Sequence, residues 1–324
     1  METKSWRKVP IYQHLSNFGF IVGHIQQRMI SRVPLDLHRT FVKQPKCFTY
    51  TNGEGDLEAI SMALTDVAAL FLDRHWTLQS LSALGLAEME KLKFCLLSEC
   101  NEMLQIVNGR HLEDFFVRPV LGSLQHLSIH YMKSLLCIWN GPIHSRCLSN
   151  LKTLAMHSCP ELRTIFTQGL LESLTCLECL IVEDCSTIKT LVSLESPQST
   201  STPCLPSLKK ISLIHLPELL SISGSISIAP RLESLVVYDC PNLEKLSYMK
   251  AFDNNIKEIK GENEWWDALK WCQPDWTGGR PDYLARVFIP LGTNAFFFFT
   301  TGIKEAGTVQ VDSRPCEFYK RSVY

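Results

Sequence analysis

The sequence predicts an α/β solenoid: a curved stack of similar coils with one parallel β-sheet on the concave face and short helical or irregular segments on the convex side. Three observations predict it. From Leu151, the string LKTLAMHSCPELRTI places apolar residues at offsets 0, 3, 5, 8, 11 and 14, and the same template fits from Val67, Leu92, Leu124, Leu177, Leu208 and Leu232. Counting Cys as apolar, 41 of the 42 template slots are apolar, the exception being His75, far above what a 45% hydrophobic composition fills unaided. The starts lie 25, 32, 27, 26, 31 and 24 residues apart, which is a leucine-rich-repeat period with insertions.

The template has a direct physical reading. Offsets 3 and 5 alternate with variable residues, the period-2 pattern of a short strand with one buried face. Offsets 8, 11 and 14 turn the chain away while still feeding side chains inward. One coil cannot cover its own apolar stripe, whereas stacked coils bury each other's in a continuous core. Residues 1–66 are less regular and are expected to be degenerate early coils: FGFIVG (18–23) and CFTYT (47–51) read as strands, joined by a basic stretch from Arg28 to Lys46 that reads as a solvated flank. Residues 67–256 hold the seven regular units, interrupted at Ser193–Pro206 by a Ser/Thr/Pro-rich loop. In 257–276, Trp265, Leu269 and Trp266 are spaced for one apolar helical face, which suits a cap over the last open coil. The tail 277–324 has no assignment, disorder being one reading; its Phe296–Phe299 run has high β propensity and no charge, and reads as a strand-like extension, a sticky interaction segment or aberrant sequence. About nine or ten coils are expected in all.

Composition removes several classes. Lys+Arg 32 against Asp+Glu 33 leaves a net charge of −1, so no global field favours nucleic acid or an anionic membrane. The charge is uneven: residues 1–50 carry about +6 and the remainder about −7. Thirteen cysteines fit a small disulfide scaffold poorly, and no Asn-x-Ser/Thr sequon occurs. The opening METKSWRKVP has no apolar signal core, and Val287–Ile303 is too short and too broken by Pro290, Gly292 and Asn294 to span a membrane. These readings point to a cytoplasmic protein with reduced thiols and no membrane span.

Searches for chemistry come out empty. There is no G-x-S-x-G, H-E-x-x-H, G-x-G-x-x-G or G-x4-G-K-[ST], so no catalytic residue, cofactor or resident metal is assigned. Offset 8 is Cys in four coils (Cys100, Cys159, Cys185, Cys240), but one thiol per coil makes a row rather than the paired ligands zinc needs. Cys176 and Cys179 form a lone C-x-x-C without a second pair. Offset 6 faces outward on the concave wall and brings His130, His157 and Glu183 into one ladder, since neighbouring strands lie about 4.8 Å apart. A His/carboxylate ladder can bind a metal or pair acid with base; on an open wall it more simply contacts a partner or water. The protein-contacting residues expected on this wall are Phe71, Asp73, Glu99, His130, Tyr131, His157, Glu183, Asp184, His215, Tyr238 and Asp239.

The pattern L-x2-L-x-L-x2-C-x2-L in irregular coils resembles the cytosolic repeats of plant coiled-coil, nucleotide-binding, leucine-rich-repeat disease-resistance receptors. RMISRVPLDL (28–37), FTYTNGEG (48–55), LDRHWTLQSLS, KLKFCLLSECNEMLQIV and above all IKGENEWWDALKW (259–271) carry the likeness, over about residues 15–276. It implies a protein-recognition module in plant defence. Its partner would be a pathogen effector, a guarded host protein, or the nucleotide-binding module of a receptor, which such repeats hold inactive. The family's phosphate loop and sustained heptads are absent from this sequence, so the chain resembles a detached or truncated repeat region, and ATP switching is not expected of it. Two other readings stay open: a substrate-binding repeat subunit of a ubiquitin ligase, for which an F-box-like module is missing, and a metal-dependent enzyme built on the His130/His157/Glu183 ladder.

Overall fold

The computed structural model describes residues 18–23, 32–53, 57–111, 119–144, 146–193, 205–223, 228–246, 255–270 and 282–292. Its strands, in chain order, are β1 (Gly19–Val22), β2 (Cys47–Thr51), β3 (Ala69–Asp73), β4 (Phe94–Ser98), β5 (Gln105–Asn108), β6 (His126–His130), β7 (Cys137–Asn140), β8 (Thr153–His157), β9 (Phe166–Thr167), β10 (Cys179–Glu183), β11 (Val192–Ser193), β12 (Lys210–Ile214), β13 (Ser234–Tyr238), β14 (Glu258–Gly261) and β15 (Phe288–Pro290). The helices are α1 (Leu35–Val42), α2 (Leu57–Leu64), α3 (Gln168–Ser173), α4 (Asn263–Ala268) and α5 (Asp282–Val287). Eleven strands form one sheet in the order β1-β2-β3-β4-β6-β8-β10-β12-β13-β14-β15, and every pairing in it is parallel. Two small parallel pairs, β5–β7 and β9–β11, lie where each coil turns back.

In all seven regular units the strand begins two residues after the start of the template. Leu127, Leu154, Leu180, Ile211 and Leu235 are register partners on adjacent strands, each with no more than 2% of its surface exposed. The second and fourth residues of β2, β3, β4, β6, β8, β10, β12 and β13 therefore build a single core with the turn-side residues of their coils. Opposite strand faces alternate, so the first, third and fifth residues line the other wall.

Each strand ends in the same way. The residue after the fifth position is left-handed in eight coils, with φ from 51° to 59°: Asn52, Arg74, Glu99, Tyr131, Ser158, Asp184, His215 and Asp239. Seven of these donate their backbone N–H to the carbonyl of the fifth residue in the next coil, at 2.7–3.0 Å, which adds one rung to the ladder before the chain turns. The left-handed region is strained for residues other than glycine, Asn and Asp. That cost recurs coil after coil because the turn must drop the next residue into the core.

That next residue is the offset-8 position. Cys100, Cys159, Cys185 and Cys240 are buried, and their thiols point at the carbonyls of Ser98, His157, Glu183 and Tyr238, at 3.4–3.6 Å. Burial pushes the Cys100 and Cys240 thiols up to about 12, so both stay protonated and able to donate. The row thus fills space as a small apolar group while weakly capping strand ends. Cys176 and Cys179 are free thiols as well.

Both ends of the array depart from the regular coil. The stretch Arg28–Lys46, expected as a solvated flank, contains α1, which follows Pro34 and buries Leu37 and Phe41. Helix α1 packs with Val33 on the first- and third-position side chains of β2–β4, whereas α2 packs on the opposite face, in the main core. At the other end Trp265 and Trp266 of α4 are buried, and the Trp265 indole donates to the Leu243 carbonyl at 3.0 Å. Gly261 takes the place of the fourth-position apolar residue; a Cβ there would lie 2.5 Å from the Trp265 ring, so the indole fills the slot itself. The sheet continues past this helix. In the tail left unassigned from sequence, α5 leads into β15, and Phe288 stacks on Trp266 at 4.3 Å with an interplanar angle of 5°. Trp271, Trp276, the Phe296–Phe299 run and most of the Ser193–Pro206 loop lie outside the described residues.

Leu154→Ala and Leu235→Ala, each removing a nearly fully buried rung of the central row, are expected to cost about 2–5 kcal/mol through cavity formation, measured by urea denaturation. A loss under about 1 kcal/mol at both positions would contradict this register.

Candidate functional site

The concave wall is the surface on which the coils place side chains that the core does not use. It divides into two sectors. Over β2–β4 it is apolar, with Cys47, Ala69, Phe71, Phe94 and Leu96 covered by α1. From β8 to β13 it is more open: Ala155, Ile181, Ser212 and Val236 at third positions are half-buried, with polar groups along the strand ends beside them.

The eleven residues expected on this wall do not share one exposure. Glu99, Tyr131, His157, Glu183 and His215 are half-buried, and Asp184 and Asp239 are exposed. Phe71, Asp73, His130 and Tyr238 are buried. Phe71 lies under α1, with its ring 5.8 Å from Phe41 and 6.1 Å from His38, both edge-on. Asp73 is ion-paired to Arg74 at 2.5 Å, and burial nonetheless raises its carboxyl above the usual range. His130 packs 5.8 Å from the His157 ring, and Tyr238 meets His215 edge-on at 5.9 Å. A third- or fifth-position side chain faces the concave side by strand geometry, but its exposure depends on what its neighbours cover. Period-2 alternation carries no information on that.

The structure does bring together the central ladder. His130 and His157 are register partners, as are His157 and Glu183. The His157 ring lies between two groups: its Nε2 is 3.2 Å from the Tyr131 hydroxyl, and its Nδ1 is 3.2 Å from a Glu183 carboxylate oxygen. His130 Nε2 is 2.8 Å from the Ser128 hydroxyl, while its Nδ1 is buried without a hydrogen-bond partner. Burial and the adjacent His157 lower the His130 ring to about 3, so it is neutral at ordinary pH. One coil further on, Ser158 donates to Asp184 at 2.6 Å, and two coils beyond that His215 meets Asp239 at 2.5 Å. Among the described residues, no group of three His, Cys, Asp or Glu is arranged to hold a metal ion. Both ring nitrogens of His157 face protein partners, which orients the ring and fixes a rigid His–Tyr–carboxylate surface.

Sequence reasoning missed Arg32, whose guanidinium lies 5.4 Å from the Tyr131 ring centroid and so reaches this ladder from the segment preceding α1. The signal was present in Val33, Leu37 and Phe41, which repeat every four residues across the basic stretch. Sequence reasoning also noted His75 only as a break in the template. It takes the offset-8 slot with none of its surface exposed and accepts backbone N–H bonds from Thr77 and Leu78 at its Nδ1.

Comparison with known proteins bears on this geometry. The sequence profile described as plant disease resistance protein RPS2-like, leucine-rich repeats, matches residues 72–186 and 123–260, together more than half of the chain. A disease resistance protein of Arabidopsis thaliana is 29% identical over 127 residues, which is 39% of this chain and 12% of that protein. The matched segment thus spans about an eighth of that relative's length. The leucine-rich repeat domain of the type III effector XopL superimposes with a TM-score of 0.43 at 18% identity, covering 65% of this chain and 66% of that one. No helix among the described residues is long and apolar enough to cross a membrane.

Burial drives the His75 ring down to about 4 from its ordinary 6.5. Between those values the unfolded chain takes up a proton that the folded chain refuses, so stability is full above pH 6.5 and falls as pH drops through this window. The expected outcome is a melting temperature that declines between pH 7 and pH 5, with a shallower slope for His75→Cys, the residue that fills this slot in four other coils. An unchanged slope in thermal circular dichroism would show that His75 does not carry the effect.

Proposed function

The chain belongs to the plant disease-resistance family of RPS2-like leucine-rich repeats, and on that premise we propose that it is a non-enzymatic protein-recognition module that binds through the open sector of its concave wall. The observation that carries this reading is the ladder Tyr131–His157–Glu183, continued by Asp184, His215 and Asp239. A rigid frame that already holds these side chains in place lowers the ordering cost of gripping a protein surface. Families of such repeats are generally interaction modules, which fits a wall with polar groups along its strand ends.

In this reading the partner is a protein: a pathogen effector, a guarded host protein, or a nucleotide-binding receptor module that the repeats restrain until a ligand shifts the balance. The setting is plant defence in the cytoplasm. The residues proposed to contact the partner are the half-buried and exposed ones, Glu99, Tyr131, His157, Glu183, Asp184, His215 and Asp239. Of the buried four, His130 packs against Tyr131 and His157 and Tyr238 against His215, whereas Phe71 lies under α1 and Asp73 pairs with Arg74.

Pull-down from the native plant tissue, with quantitative mass spectrometry, is the test. The wild-type chain is expected to enrich a defined protein set, and His157→Ala or Glu183→Ala to lose at least tenfold of that enrichment while keeping the melting temperature within about 2 °C, as for a surface change. Enrichment unaffected by either substitution would overturn this site; a large drop in melting temperature would show the ladder to be structural.

A further inference from the structure

From β6 to β13 the strands end on one rim, where Tyr131, Ser158, Asp184, His215 and Asp239 follow the fifth strand position on consecutive coils in unbroken parallel register. Asp184 and Asp239 are exposed. Ser158 donates to Asp184 at 2.6 Å, and His215 Nδ1 lies 2.5 Å from Asp239. Among the described residues neither carboxylate is ion-paired to a lysine or arginine. At the β6 end of the rim the sign of the charge reverses. Arg32 is exposed, its guanidinium lies 5.4 Å from the Tyr131 ring centroid, and it makes no ion pair among the described residues. Glu99, one coil earlier, is half-buried and is not paired with it. A guanidinium held against a tyrosine ring keeps its fork of donors for a carboxylate.

Beside the arginine sits an unmet hydrogen-bonding group. His130, register partner of His157, has 6% of its surface exposed, and its Nδ1 has no partner. Its ring lies 6.4 Å from the Tyr131 ring and 5.8 Å from the His157 ring. A buried polar atom left unpaired costs free energy, and a polar group of a ligand seated between these rings would recover it. The floor beside the rim, Ala155, Ile181, Ser212 and Val236, is half-buried and uncharged, which suits backbone and small side chains. Spacing then sets the shape of the ligand. Adjacent strands lie about 4.8 Å apart, which puts Asp184 about 10 Å and Asp239 about 19 Å along the rim from Tyr131. An extended chain advances about 3.3 Å per residue, so these steps match about three and about six residues.

We propose that this rim receives an extended segment of a protein partner with one acidic residue and, three and six positions away from it, two basic residues. The acidic side chain pairs with Arg32 over Tyr131, and the basic ones pair with Asp184 and Asp239. The segment crosses the strands at their ends, with its backbone over the half-open floor. Acidic groups by themselves draw any cation to the rim, whereas the arginine at one end fixes orientation and register. The inference rests on the recognition reading above and gives it the chemistry and spacing of the partner's contact segment.

The probe is a fluorescein-labelled synthetic peptide with Glu-x-x-Lys-x-x-Lys on a Ser/Thr frame, titrated against the full chain by fluorescence anisotropy at low salt, where exposed pairs are least screened. The wild-type chain is expected to bind it about tenfold tighter than a charge-reversed peptide, Lys-x-x-Glu-x-x-Glu, and about tenfold tighter than one of the same composition with its three charges contiguous. A chain carrying Arg32→Glu, Asp184→Lys and Asp239→Lys is expected to prefer the charge-reversed peptide. Equal binding of all three peptides by the wild-type chain, or binding of none, overturns the proposal. If the triply substituted chain loses the wild-type circular dichroism spectrum, Arg32→Glu alone decides. This exposed change is expected to weaken the first peptide about tenfold, and unchanged binding overturns the proposal. The two readings fail separately: no peptide binding while His157→Ala still loses the captured partner removes this inference and leaves the recognition reading, and failure of both tests removes both.

Discussion

No coil of this chain can cover its own apolar stripe, and the structure follows from that constraint. Leu92, Leu124, Leu151 and their counterparts are shielded because the coil on each side lays down the same stripe in the same register. The parallel ladder enforces the register: a slip of one residue would turn every core leucine to the concave wall. Stacking thus couples burial to backbone pairing, and each interior coil depends on both neighbours.

The same constraint shapes the wall where binding is proposed. A chain that must leave the strand and bring offset 8 back into the core needs a sharp turn, and eight coils make it with one left-handed residue each. That residue is where Glu99, Tyr131, Asp184, His215 and Asp239 sit, so the row of candidate contact residues is fixed by the backbone turn that serves the core. Behind Glu99, Asp184 and Asp239 the thiols of Cys100, Cys185 and Cys240, held protonated by their surroundings, point at the strand-end carbonyls. The repeat's strain, packing and outward chemistry therefore meet within three consecutive residues.

The first and last described coils depart from the regular pattern in different ways. At the C-terminal end an indole occupies the slot left by Gly261, and a further strand pairs beyond it, with Phe288 against Trp266. At the N-terminal side β1 is the outermost described strand, with Phe20 and Val22 packed on the main core, and the concave face of β2–β4 carries its own apolar cluster under α1. The likeness of IKGENEWWDALKW to a family terminus placed the tryptophans, but not the strand that follows them, because a three-residue strand such as FIP has no alternation to read. In the basic stretch Arg28–Lys46, Pro34 and the interspersed apolar residues read as a solvated flank, whereas Leu37 and Phe41, one turn apart, are buried by α1.

The sequence by itself determined the repeat, its register, the direction of the core side chains and the family, because offsets 0, 3, 5, 8, 11 and 14 recur and burial of a periodic stripe has one economical solution. The order of strands and the rung-by-rung partners followed from that periodicity. Only the tertiary structure decided which wall residues are open: Phe71 was closed by Phe41 of α1, thirty residues before it in the chain, His130 by its own neighbours, and His157 was pinned between Tyr131 and Glu183. Facing direction is a local property of a strand, whereas exposure is set by everything packed above it, and a linear pattern records only the first.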